Sequence, residues 1–450
     1  MKNTQEKLPL KVKLAYAFGY LGRQIIVLLN MYFILYFYTD VVGISPGAAG
    51  TVLLIGRIWD AVNDPLMGVI CDRKVSTEGK CRFFIKRFSV PAALLLVLCY
   101  FCPEINSTLK VIWVTVSYLL HDTISTMVYI PQNTLRVRMT NSRLERVKLG
   151  QFTNVSSLIV NVLIPSITLP LVNAIGGENM QLGFLGAVGI FALIYLISMI
   201  VLYRGTEGYE SDDEPEETKI QPKAMDLIKY GLTNGYVLSA AGAYFCYLLV
   251  ASIMSSSLVF YFTYNLKNTD LMSLYSTGAS IGSVVIIFTM SFLHKKLGNA
   301  KSAVFCCILS VLGCLVRWIT ADANTTIFVL TMVVLGFGSQ GIGAFSSQCQ
   351  TDACIYGRLK NGVDNPAVIL TLFGIFQKAG EALGGTIAAW LLETVPYVPN
   401  AETQAESVQN LFFAENILIP LGLAAAAGIL FVIVSRFEAK LKNMMAAQNA

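Results

Sequence analysis

The chain has 450 residues, 55% of them hydrophobic and only 14% charged, with a mean hydropathy of +0.61. That composition excludes an ordinary soluble globular protein and a disordered one, both of which need more charge to stay hydrated. The net charge of +5 is small and unevenly distributed, as shown below, so no nucleic-acid partner is invoked.

In chain order, MKNTQEKLPLKVK runs directly into a full-length apolar stretch. No cleavable signal peptide is read there, and the first span is expected to serve as its own insertion signal. Stretches long enough to cross a hydrocarbon core of roughly 30 Å lie at 12–39, 46–71, 88–104, 109–135, 149–175, 182–203, 232–264, 272–293, 302–320, 325–350, 366–393 and 411–435. These spans predict an all-α integral membrane protein with twelve transmembrane helices. The acid-rich, Pro-containing stretch RGTEGYESDDEPEETKIQPK separates the sixth span from the seventh and reads as a polar linker. The expected organisation is an N-terminal six-helix bundle over 1–203, a cytoplasmic linker over 204–231 and a C-terminal six-helix bundle over 232–450. With the N-terminus inside, 27 of the 33 Lys and Arg residues fall on the inner side. Only Lys110 and Lys267 fall outside, and Arg23, Arg57, Arg317 and Lys378 lie within spans. That asymmetry predicts cytoplasmic termini, with charged cytoplasmic turns at 72–87, 136–148 and 352–360.

The two halves echo one another. LYFYTDVVGIS closes the first span and VFYFTYNLKN the seventh, and the turn CDRKVSTEGKCRFFIKR has a weaker counterpart in HKKLGNAKSAVF. Six plus six spans with a charged linker suggest two homologous bundles. Gly336, Gly338, Gly341 and Gly343 in the tenth span, and Gly380, Gly384 and Gly385 in the eleventh, suit close helix packing. They carry no Walker lysine. Any transport would therefore draw on an ion gradient or on the solute's own gradient. The ten cysteines are scattered, with only Cys306 and Cys307 adjacent, and show neither metal spacing nor a disulfide framework.

The second span holds the unusual chemistry, IGRIWDAVNDPLMGVICDR. Ionisable groups in a bilayer cost roughly 2.5–3.5 kcal/mol each, so a row of them marks a pathway or site. Asp60 and Asp64 share a helix face, with Asn63 beside them and Arg57 one turn before Asp60. Two carboxylates and an amide oxygen suit a hard monovalent cation. Protonation of one carboxylate would relieve the same repulsion, so sodium and protons are competing readings. The structural alternative is that Arg57 merely neutralises one aspartate. Thr126 in the fourth span can add a hydroxyl, or bond back to its own helix, and Pro131 nearby can free backbone carbonyls. In the eleventh span, LFGIFQKAGEALGG places Lys378 three residues before Glu381, a spacing compatible with a stabilising pair. Asp122 and Gln340 are further cavity candidates or helix–helix hydrogen bonds.

On these residues the chain resembles the glycoside-pentoside-hexuronide:cation symporters of the major facilitator superfamily, the family of melibiose permease. The resemblance spans nearly the whole chain. It is carried most specifically by FYTDVVGISPGAAGTVLLIGRIWDAVNDPLMG, the DR…GKCR turn, YIPQNTL, TDACIYGRLKNGV and FQKAGEALGG. It implies a major facilitator fold, a cation site at Asp60, Asn63, Asp64 and Thr126, and basic cavity residues at Arg57, Lys378 and Arg23. Galactoside carriers of the family use an aspartate on the first helix and another on the fourth. At the solute positions this chain has Gln24, Tyr129 and Asn133. Amides and a phenol grip sugar hydroxyls less strongly than carboxylates. The basic residues suit an anionic solute such as a hexuronide, and neutral glycosides stay compatible.

The function expected is cation-coupled symport of a sugar, glycoside or hexuronide by alternating access. The coupling ion would be sodium or a proton, no cofactor is expected, and Arg57 and Lys378 would take part in coupling. The setting expected is a cell membrane, by economy of design a bacterial inner membrane. The alternatives are symport of a non-sugar amphiphile or organic anion, a sensor without transport, and a membrane-embedded prenyltransferase-like enzyme. The last lacks a second Asp-rich helix, and the two histidines, His121 and His294, stand near no nucleophile signature.

Overall fold

The computed structural model describes residues 7–73, 76, 78–210, 234–361 and 366–449. Within these, twelve long helices follow one another: α1 Leu10–Tyr36, α2 Pro46–Arg73, α3 Lys80–Cys99, α4 Ser107–Arg138, α5 Arg143–Gly176, α6 Met180–Gly205, α7 Gly235–Phe260, α8 Leu271–Leu297, α9 Asn299–Thr320, α10 Thr325–Asn361, α11 Pro366–Glu393 and α12. The last comprises Glu406–Phe413, a π turn at Ala414–Leu418, and Ile419–Asn449. No strand occurs among the described residues. Backbone groups inside lipid must be satisfied within their own segment, which is why an apolar chain of this kind resolves into helices.

Nine of the helices are long and apolar enough to cross a membrane by length and composition, among the described residues. The three that fall short are α2, α3 and α11. In α2 the apolar run is broken by Arg57, Asp60 and Asp64, and α3 opens with Lys80, Arg82, Lys86 and Arg87. Large apolar side chains point outward, among them Phe288 and Ile319, each 82% exposed, as lipid-facing positions require.

The helices extend beyond the apolar stretches. The segment expected as a charged turn at 352–360 is the end of α10, and most of 80–87 and 143–148 is the start of α3 and of α5. Arg, Lys and Glu are good helix formers, so a polar sequence continues a helix already nucleated in its apolar part. The third span ends earlier than its hydropathy suggests, because α3 stops at Cys99. The linker expected over 204–231 lies, from 211 onward, outside the described residues.

The chain forms two compact units. The first is Met1–Thr218 with Val398–Ala401, and the second is Lys219–Tyr397 with Glu402–Ala450. In the first, α1 packs on α5 and α6, α3 on α4 and α6, and α2 on α4. An aromatic cluster fills its interior: Phe37 lies 5.1 Å from Tyr100, whose ring stacks on Phe184. In the second, α8 packs on α10, α7 on α11 and α12, and α9 on α10 and α12. Gly336 lets α10 reach α8, because a Cβ there would overlap the backbone of Ala279.

The sequence echo is a structural one. The aromatic run after α1 closes in a π turn, Phe37–Val41, with Val42 N–H donating to Phe37 O and Ile44 N–H to Tyr38 O. The run after α7 closes the same way at Tyr261–Asn265, with Leu266 N–H donating to Tyr261 O and Asn268 N–H to Phe262 O. Before α3 and before α9 stand Gly79 and Gly298, at φ 94° and 84°, where only glycine sits without strain. In the first unit the Glu210 carboxylate accepts from the N–H groups of Cys81 and Arg82. In the second the Glu438 carboxylate accepts from Asn299 and Ala300. Each unit thus caps its third helix with a carboxylate from near the end of its sixth, as the positive end of a helix favours.

Candidate functional site: the charged face of α2 and the α1–α4–α5 pocket

Two helices of the first unit carry the site, and their register is fixed beside it. A Cβ at Gly56 would overlap the Tyr118 ring, so this glycine brings α2 against α4. One turn on, Trp59 Nε1 donates to Thr123 Oγ1 at 2.8 Å. The paired positions rise together along both helices, so α2 and α4 run parallel here. That register sets Asp64 against Thr126, whose hydroxyl donates to Asp64 Oδ1 at 3.5 Å. It also brings Asp122 into direct interaction with Asp60. Arg57 NH1 lies 3.6 Å from Asp60 Oδ2, with both side chains partly exposed. Asn63 is only 8% exposed and Thr126 5%, and Asn63 Nδ2 has no hydrogen-bond partner. Asp60, Asn63, Asp64 and Thr126 therefore lie on two packed helices, and Asp122 joins them. Helix α2 continues through Pro65 and α4 through Pro131, each proline lacking the N–H that a carbonyl four residues back would otherwise use.

Further along the Thr126 stripe of α4, at spacings of three and then four residues, come Tyr129 and Asn133. They line a pocket of about 750 Å³ together with Tyr20 and Arg23 of α1, Thr134 and Arg136 of α4, and Thr153 and Asn154 of α5. The Arg23 guanidinium lies over the rings of Tyr129 and Tyr20, 4.1 and 4.6 Å from their centroids. Its NH1 donates to Asn133 Oδ1 at 3.0 Å, and its buried Nε has no partner. Such a pocket offers a planar cation, two aromatic faces and several amides and hydroxyls, the functional groups that hold a polyhydroxylated solute.

Of the sequence candidates, Arg23, Tyr129 and Asn133 line the pocket, and Gln24 does not. Lys378 stands on α11 in the second unit, where Glu381 Oε1 accepts from Gln377 Nε2 at 3.1 Å. Sequence reading missed Tyr20, Arg136, Thr153 and Asn154. Tyr20 precedes Arg23 by one helical turn, a spacing that signals stacking, but the others are ordinary residues near span ends. It also gave no role to Arg317, which is 1% exposed. This side chain pairs with Asp322 through NH2 at 2.6 Å and donates from NH1 to Asn416 O, while Tyr261 Oη donates to Asp322.

Comparison with known proteins shows the family of the chain. The model of the family described as MFS/sugar transport protein matches residues 15–436, and the chain belongs to that family. An uncharacterized symporter, YnaJ, of Bacillus subtilis (strain 168) is 28% identical over 98% of this chain and 95% of its own. An isoprimeverose transporter of Lactiplantibacillus pentosus is 26% identical, covering 91% of this chain and 85% of its own. Among solved structures, the nucleoside transporter NupG (D323A mutant) superposes with a TM-score of 0.66 at 12% identity, over 95% of this chain and all of that one. The last likeness speaks for the fold alone. The protein is thus a multi-pass membrane transport protein of major facilitator fold, and its relatives are transporters and symporters rather than enzymes.

Proposed function

We propose that this protein is a cation-coupled symporter of a sugar-type solute, working by alternating access. The cation is held by Asp60, Asn63, Asp64 and Thr126, and the solute by Arg23, Tyr129 and Asn133 in the α1–α4–α5 pocket. Arg57 and Lys378 serve coupling. The observation that carries the reading is the stripe Thr126, Tyr129, Asn133 on α4: one end bonds Asp64 and the other lines the pocket. A cation that orders the first end pre-organises the second, and coupling between the two ligands is reciprocal.

The pocket volume suits a mono- or disaccharide, since small-molecule sites span roughly 300–1,000 Å³. Arg23, with an unpartnered Nε, and Arg136 at the wall favour a solute that also carries a carboxylate, such as a hexuronide. The same two cations favour, as a second reading, a non-sugar organic anion. Sodium and the proton both fit the carboxylate pair. The distribution of Lys and Arg supports cytoplasmic termini, and the setting proposed is a bacterial inner membrane.

The test is the melting temperature of the purified protein against glycosides, pentosides and hexuronates, each in sodium and in choline buffer. Ligand binding to the folded state raises it by mass action. A sugar-class shift enlarged by sodium, and lost in Asp60→Asn and Asp64→Asn, is expected. Shifts by organic anions alone would favour the second reading, and no response to any solute or cation across a pH series would overturn symport.

A further inference from the structure

We infer that Arg23, Asn133 and Arg136 form a subsite for a doubly charged oxyanion, so that the sugar-type solute carries either a phosphate monoester or two carboxylates. The inference rests on the solute-pocket reading above and adds to it a specificity-determining residue, Arg136, and the charge of the solute.

The Asn133 amide has a fixed orientation. Guanidinium nitrogens only donate, so the 3.0 Å bond from Arg23 holds the amide oxygen toward Arg23 and leaves Nδ2 as a donor. Arg136 follows three residues on, the spacing of neighbours on one helix face, and both side chains line the pocket. Two guanidiniums therefore flank one amide donor within about one turn of α4. Arg136 is exposed and makes no hydrogen bond or ion pair with any described residue. An arginine that serves topology alone needs only to stand near a helix end, whereas this one stands in the pocket wall.

No acid offsets the two charges. Among the described residues the wall holds two arginines and neither Asp nor Glu. Helix α1 contains no acid, α4 only Asp122 and α5 only Glu145. Asp122 precedes Arg136 by fourteen positions, roughly 21 Å along the helix. Glu145 is engaged by Lys13 at 2.6 Å and by Lys148 at 2.8 Å. A cleft lined by one sign of charge concentrates the opposite sign, and a hexuronate brings one negative charge to two cations. A phosphate monoester, or a sugar with two carboxylates, brings both, and the guanidinium fork matches the oxygens of either group.

The experiment is a melting-temperature titration of the full-length purified protein in sodium buffer at constant ionic strength, converted to apparent Kd values. It is run near pH 8, where a phosphate monoester with a second pKa of about 6 carries both charges. The ligands are the free sugar, uronate, aldarate and 6-phosphate of the glucose and galactose series, and inorganic phosphate. Wild type, Arg136→Gln and Arg136→Lys are compared. In wild type a dianion is expected to bind about tenfold or more tighter than the uronate, the worth of one further charged contact. Whether the aldarate or the 6-phosphate does so tells the source of the charge. Arg136→Gln should abolish that preference with the uronate Kd and the ligand-free melting temperature nearly unchanged, and Arg136→Lys should keep part of it. Equal binding of uronate and dianions by wild type, or a dianion preference that survives Arg136→Gln, would overturn the inference and leave the solute pocket standing. Inorganic phosphate binding as tightly as the sugar phosphate would show an anion site indifferent to the sugar and overturn it as well. No shift by any ligand would bring down the pocket reading together with the inference.

Discussion

At the scale of single residues, Thr126 is the most exposed to test, because one 3.5 Å bond to Asp64 is all that ties its hydroxyl to the α2 carboxylates. Thr126→Ser keeps the hydroxyl and should bind the cation as wild type does. Thr126→Ala should weaken it about fivefold, the equivalent of about 1 kcal/mol for one lost polar contact, read from a sodium titration of the melting temperature. Arg23 owes its place to geometry as well as charge: it lies over two rings and reaches Asn133. A lysine keeps the charge but neither the planar stacking nor the fork. Arg23→Lys is expected to raise the solute Kd about tenfold at saturating cation, measured by isothermal titration once a solute is in hand. The acids of α2 stand out in the sequence because ionisable groups are costly in an apolar span. Thr153 and Asn154 do not, since nothing about their type is unusual in a helix.

At the scale of elements, the approach of α2 to α4 decides whether the acids form a site. Gly56→Ala should push Tyr118 aside and weaken cation binding several-fold. Gly68, twelve residues along the same helix, has nothing within 4 Å of a Cβ. Gly68→Ala should stay within about 0.5 kcal/mol of wild type in stability, as substitutions away from packed contacts do, and its cation Kd should be unchanged. The second unit offers a contrasting element-scale test in the buried Arg317–Asp322 pair between α9 and its following turn. Removing one partner strands a buried charge at a cost of about 3–5 kcal/mol. Asp322→Asn should therefore lower the melting temperature more than the double replacement Arg317→Met with Asp322→Leu, an ordering that a thermal melt of the three proteins checks.

At the scale of the whole molecule, the expectation is thermodynamic. If cation and solute are coupled, the factor by which sodium improves solute affinity must equal the factor by which solute improves sodium affinity. Titrating each ligand with and without the other measures both, and unequal factors would mean that more than one site responds to sodium. The repeated architecture gives a structural counterpart: each unit closes its first helix with a π turn and caps its third with a carboxylate. The resemblance between LYFYTDVVGIS and VFYFTYNLKN was legible as an echo because backbone devices of this kind need particular residues. The two capping glutamates were not, because each lies far along the chain from the helix it caps.

The sequence by itself determined the class of the protein. An apolar chain with so few charges must form helices in lipid, and the charges it retains inside must be functional or paired, so the helical membrane fold and the acids of α2 follow from composition and period. Tertiary structure alone decided which side chains of α2 and α4 meet. Asp60 with Asp122 and Asp64 with Thr126 are about sixty residues apart, and their meeting depends on a helix register set by a glycine, a tyrosine and one indole hydrogen bond. The pocket around Arg23 was decided the same way. Three helices contribute to its wall, and side chains on different helices converge only through packing that no local pattern encodes.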